Sequence, residues 1–180
     1  IGHVIGGSLA APLTVKAVKG WYQDLKKPSW NPPDGLFAPT WVVLYATMGV
    51  SVSWILQRLP TWKHSVIYWY MAHYVINLSW APVFFGFKKL RAGLALILAA
   101  VASLGVVMLR FAQIYLPSAL LLIPYTCWLV FATFLNSEIC RLNPNDGTVA
   151  KKESNTEYDD DKLSKDLAKL QDAAAKYAGL

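Results

Sequence analysis

Five stretches of this chain, each about 20 residues long and nearly free of charge, leave it few folds to adopt. They fall near residues 1 to 19, 39 to 59, 65 to 86, 91 to 112 and 117 to 141. A helix rising about 1.5 Å per residue needs about 20 residues to cross some 30 Å of hydrocarbon, and inside the bilayer each segment must satisfy its own backbone polar groups. The pattern therefore predicts an all-α fold, a polytopic membrane bundle of five transmembrane helices followed by a polar tail. The composition agrees, since 55% of the 180 residues are apolar, more than an ordinary soluble domain carries.

The first stretch is the weakest, because Gly2, Gly6, Gly7 and Pro12 loosen it and Lys16 must snorkel to the headgroups. A chain that opens at Ile1 rather than Met is what a processed organelle precursor or a truncation would give. The net charge of +6 gathers between the stretches, a topology pattern before a nucleic-acid one, and no nucleic-acid partner is expected. Lys16, Lys19, Lys26, Lys27, Lys88, Lys89, Arg91, Arg141, Lys151 and Lys152 fall on one side of the membrane, against Arg58, Lys63 and Arg110 on the other. The positive-inside rule then puts the first connection and the C-terminus in the cytosol, or in the stroma of a plastid. Trp21, Tyr22, Trp62, Tyr68 and Tyr115 read as interfacial anchors. Ala95, Ala99 and Ser103 form a row of small residues that would let another helix, including one from a second copy in a homodimer, come close.

Cys127 and Cys140 are thirteen residues apart, roughly 20 Å along a continuous helix, and cannot bridge. No compact metal-ligand cluster appears. After Arg141 the composition turns polar: residues 143 to 161 read as a linker. Leu163, Leu167, Leu170, Ala174 and Tyr177 then recur on one face of a short amphipathic helix over 162 to 180. Such a helix needs a surface to lie on, whether membrane lipid or a protein partner.

The first connection reads Trp21-Tyr22-Gln23-Asp24-Leu25-Lys26-Lys27-Pro28-Ser29-Trp30-Asn31-Pro32-Pro33, then Phe37-Ala38-Pro39-Thr40-Trp41 and Leu44-Tyr45-Ala46-Thr47-Met48-Gly49. Further on come Asn77-Leu78-Ser79-Trp80-Ala81-Pro82, Pro124-Tyr125-Thr126-Cys127-Trp128 and Phe131-Ala132-Thr133-Phe134-Leu135-Asn136. These segments, in this order, resemble the translocator protein family, also known as TspO/MBR proteins, tryptophan-rich sensory proteins or peripheral benzodiazepine receptors, over residues 1 to 142. The resemblance implies a five-helix domain whose first connection folds over a cavity for tetrapyrroles such as protoporphyrin and haem, sterols and benzodiazepine-type ligands.

Asn77 lies deep in the third stretch, where an unpaired amide is costly, so it should face the interior and find a partner, either another helix or a ligand. Trp80, three residues on, shares its face. Trp41, Tyr45, Tyr125 and Trp128 offer flat surface for stacking on a ring system, or simple packing; the resemblance tips them, with Trp30 and the small Ala132, toward the ligand. His73 is the histidine well inside a span and reads either as a haem-iron ligand or as a hydrogen-bonded interior group. Two positions depart from the family. Leu135-Asn136-Ser137-Glu138-Ile139-Cys140-Arg141 lacks the tyrosine of a sterol-recognition pattern, leaving Glu138 free to pair with Arg141, and Ala92 stands where relatives carry a rim tryptophan.

A tetrapyrrole-binding translocator or sensor is thus the leading expectation, with an integral location in an organellar (mitochondrial outer or plastid) or bacterial membrane and no required cofactor. The alternatives are a structural subunit of a larger organellar membrane complex, docked through its helices and tail, and a porphyrin-degrading enzyme. Nothing in the sequence forms a catalytic constellation: no paired carboxylates inside the membrane and no nucleophile beside a base.

Overall fold

A computed structural model describes residues 14, 17–18, 20–61 and 64–146. The first expected span therefore lies almost wholly outside the described residues, as do Trp62, most of the linker and the amphipathic tail. The described residues are helical, with no strand among them. A short helix, α1, covers Trp21–Asp24. After an extended stretch and a 3₁₀ turn at Asp34–Leu36 come α2, Phe37–Leu56; α3, Ser65–Ala81; α4, Leu90–Ile114; α5, Leu116–Leu120; and α6, Ile123–Leu142.

Three segments among the described residues are long and apolar enough to cross a membrane: Asp34–Leu56, Leu90–Ile114 and Leu116–Leu142. The stretch expected over 65 to 86 is helical throughout but polar, because it carries Tyr70, His73, Tyr74, Asn77 and Ser79. The expectation of five spans is met in part. Pro82 also remodels this helix: lacking an N–H, it cannot continue the i→i−4 ladder, and Pro82–Gly86 widens into a π turn. Lys88 then takes a left-handed conformation at φ 57° and turns the chain into α4. At the other end of α3 the His64 imidazole accepts from the Val66 N–H and caps the helix, a role its position near a span end did not reveal.

The outward faces are apolar: Val42, Val43, Tyr68, Trp69, Val75, Leu98, Leu109 and Phe134 are all exposed. For a soluble protein such a surface would be a liability, and here it is the lipid-facing coat. Inside, α4 packs against α3 and α6 around Met48, Ile55, Tyr70, Leu104, Phe111 and Leu129. Polar pairs fasten this core where hydrophobicity cannot drive one helix against another. Ser51 of α2 and Ser118 of α5, both fully buried, each donate to the other's carbonyl oxygen, at 2.8 and 2.7 Å. The Asn136 amide donates to the Leu90 carbonyl at 3.0 Å.

At the far end Arg58 lies 3.5 Å over the Tyr115 ring, which also meets Trp54 edge-on, and Tyr68 is exposed near the start of α3. Tyr22 departs from its expectation as an interfacial anchor. It is 2% exposed, walled in by Phe37, Phe84 and Phe85, and its hydroxyl donates to Asn31 at 3.0 Å. Burial, and secondarily the Asp34 carboxylate, pushes its phenol well above the ordinary range, so it remains a neutral donor. In the small-residue row Ala95 and Ala99 are exposed, but Ser103 turns inward to His73 and does not share that outer face. Both cysteines are free, and Glu138 pairs with Arg141 at 2.6 Å as its spacing suggests.

At Gly93 the helices pack closely. A Cβ built there would stand 2.9 Å from Phe84 Cδ2 and 3.3 Å from Asn136 Oδ1. Gly93→Val should destabilise the folded state by about 1–3 kcal/mol through overpacking, read as a lower unfolding temperature in detergent. The same change at Gly105, where an added Cβ would meet nothing within 4 Å, should leave that temperature nearly unchanged.

Candidate ligand-binding site

One apolar cavity lies between the N-terminal half of α2, the C-terminal end of α3, and parts of α4 and α6. Its wall is Phe37 and Trp41 from α2, Asn77 and Trp80 from α3, Ile97 and Ala100 from α4, and Trp128, Leu129, Phe131, Ala132 and Leu135 from α6. The spacings explain the shared faces. Residues 37 and 41, 77 and 80, and 128, 131, 132 and 135 recur every three or four positions, so each set points one way from its helix. The cavity volume is about 20 Å³, enough for one or two waters and far short of a macrocycle.

Five residues singled out in the sequence line this cavity: Trp41, Asn77, Trp80, Trp128 and Ala132. Three do not. Tyr45 stands behind the wall, its ring stacked on Trp41 at 5.4 Å and its hydroxyl accepting from Asn77 Nδ2 at 3.1 Å. The interior partner expected for Asn77 is therefore a tyrosine of the neighbouring helix. Tyr125 is fully buried, edge-on to Trp41. Trp30 sits outside as part of the covering loop, 47% exposed, with its ring 5.9 Å from Phe131.

His73 also lies off the cavity. It is fully buried, with Nδ1 2.9 Å from Ser103 Oγ and Nε2 3.1 Å from the Tyr125 hydroxyl. Ser103 donates onward to the Ala100 carbonyl, which makes its oxygen the acceptor for Nδ1–H and leaves Nε2 to accept from Tyr125. Both ring nitrogens have hydrogen-bond partners, as the interior reading expects. No cluster of three or more His, Cys, Asp or Glu able to hold a metal occurs among the described residues. Ala92 is exposed and forms no part of the wall.

Six wall residues were not singled out in the sequence: Phe37, Ile97, Ala100, Leu129, Phe131 and Leu135. Phe131 and Leu135 continue the face of Trp128 and were legible by spacing, whereas Ile97 and Ala100 come from a helix whose inward face carries no distinguishing residue. The Trp80 indole N–H is buried without a hydrogen-bond partner, an unused donor on a residue of this wall.

The first connection, residues 20–36, reaches the cavity wall where the Trp30 ring meets Phe131, and it is braced by its own contacts. Lys27 Nζ donates to the Tyr22 carbonyl at 2.9 Å and lies 4.5 Å over the Tyr22 ring, and Gln23 donates to Asp34.

These features define a helical membrane protein with an aromatic-walled cavity beneath a looped cover. The TspO/MBR family model matches residues 1–142, and the chain belongs to that family of membrane translocator and sensor proteins. It is 37% identical over 142 residues to the tryptophan-rich protein TspO of Chlorobaculum tepidum, covering 77% of this chain and 89% of the relative. It is 34% identical over 138 residues to the tryptophan-rich sensory protein of Cereibacter sphaeroides, covering 75% and 86%. To the translocator protein of Bos taurus it is 33% identical over 135 residues, covering 73% and 80%.

Proposed function

We propose that this protein binds a tetrapyrrole, or a similarly flat lipophile, between α2, α3 and α6, and senses or passes it within the membrane. Three indoles, Trp41, Trp80 and Trp128, and one amide, Asn77, converging on a single apolar cavity support this above all. Stacking on indole faces suits any extended ring system, and the free Trp80 N–H suits a carbonyl or ring-nitrogen acceptor. A macrocycle needs more room than the closed cavity offers, so the wall must part to hold it and the cover at 20–36 must lift to admit it. The cover lies on the basic side of the chain, which the positive-inside rule makes cytosolic or stromal.

The test is titration of the purified protein in mild detergent with protoporphyrin, followed by the Soret band and by quenching of tryptophan fluorescence. Saturable binding that weakens about tenfold or more in Trp41→Ala, through loss of stacking area of roughly 1–2 kcal/mol, is the expected result. Binding that is unsaturable, or indifferent to Trp41→Ala, Asn77→Ala and Trp128→Ala alike, would remove the cavity from the account. Deleting residues 147–180 should leave this binding unchanged.

A further inference from the structure

The turn that ends α6 joins three parts of the chain that are far apart in sequence. Pro144 biases the residue before it away from helical conformation, and Asn143 leaves the helix at φ −127°, ψ 74°. Its amide is then used almost completely. Oδ1 accepts from the Lys26 N–H at 3.1 Å, while Nδ2 donates both to the Lys26 carbonyl and to the Ile139 carbonyl at 2.8 Å. On the other side Asp146, in a left-handed conformation at φ 51° that aspartate tolerates, accepts from the Arg91 N–H at 2.7 Å, an otherwise unsatisfied amide of the first turn of α4. The Arg91 guanidinium donates to the Pro144 carbonyl at 3.0 Å.

The turn is thus anchored to α4 and grips the first connection at Lys26. That grip falls at the critical point of the cover. Before it, Tyr22 and Leu25 are buried; after it, Trp30 rests on Phe131, a residue of the cavity wall. The cover's bonds between Tyr22 and Asn31, Lys27 and Tyr22, and Gln23 and Asp34 brace it internally, whereas Lys26 to Asn143 ties it to the bundle.

We infer that Asn143 is a positioning residue, a latch that holds the cover closed over the cavity, with Asp146 fixing the latch to α4. Both of its bonds to the cover go to the main chain of Lys26, so the grip does not depend on the lysine side chain. Both are exposed to water, where a hydrogen bond contributes little net stability, so opening is within thermal reach. A latch of this kind sets how fast a ligand enters and leaves and not how tightly it is held, because the ligand-free and ligand-bound closed forms lose the same two bonds when it is removed.

Amide exchange of the full chain in lipid nanodiscs, without ligand, tests the latch independently of what the cavity binds. Asn143→Ala should speed exchange at Lys26 and its neighbours in residues 23–30 by about tenfold or more, with α4 and the His73 to Asn77 segment unchanged. Asn143→Asp keeps the acceptor for the Lys26 N–H and should restore part of that protection. Unchanged exchange at Lys26 in Asn143→Ala, or faster exchange spread evenly through all helices, would overturn the latch. With protoporphyrin added, association and dissociation should both quicken by a similar factor in Asn143→Ala. If wild-type protein binds no protoporphyrin, the proposed ligand fails while the exchange result still decides the latch.

Discussion

A His73→Ala variant is expected to lose about 2–4 kcal/mol of stability, combining a void in a packed core with orphaned polar groups. The imidazole is fully buried between α3, α4 and α6, taking a hydrogen bond from Tyr125 and giving one to Ser103. Its removal leaves the Tyr125 hydroxyl without its acceptor. His73→Phe fills most of the void but not the hydrogen bonds, and should recover roughly half of the loss. Thermal unfolding in detergent separates the three proteins. Because His73 lies behind the cavity wall, whatever His73→Phe protein remains folded should bind porphyrin with nearly wild-type affinity; a specific loss of haem binding with stability intact would instead make His73 an iron ligand.

The second large effect is expected at Ala132, which lines the cavity beside Trp128 and Phe131. Ala132→Phe places a ring where the closed cavity has room for one or two waters, directly in the space that stacking surfaces on α2 and α3 would share with a ligand. Protoporphyrin affinity should fall about 100-fold, or about 2.7 kcal/mol. The ring exceeds the closed space, so the bundle should lose about 1–3 kcal/mol through overpacking, and the affinity is read on the protein that remains folded. Retained affinity in a folded Ala132→Phe protein would move the ligand to another surface.

Much of this architecture could be read from the chain, because the bilayer imposes a length and an apolarity on any helix that crosses it. The helices over 37–56, 90–114 and 123–142 lie within a few residues of the expected spans. The stretch over 65 to 86 was legible as a helix too, but its tyrosines, histidine and asparagine, which lower its apolarity, are the residues the interior uses. Asn77 could be assigned inward from the cost of an unpaired amide alone. The aromatic segments of the first connection, α3 and α6 likewise carried the family's pattern, and with it the expectation of a cavity.

Packing settled what spacing left open. Trp41 and Tyr45 sit one turn apart on α2 and look equivalent in sequence, yet Trp41 faces the cavity while Tyr45 stands behind it, held by Asn77. Tyr22 reads as an interfacial anchor and proves to be a buried strut of the cover, because three phenylalanines close around it. His73 could serve iron or the core, and only the arrival of Ser103 and Tyr125 from other helices fixes both of its nitrogens. Helical periodicity and bilayer thickness are properties of one segment in its solvent, so sequence alone located the three spans over 39 to 59, 91 to 112 and 117 to 141. Which residues share a cavity, and that Asn143 holds Lys26 across 117 positions, depends on how separate helices meet, and only the tertiary structure decided that.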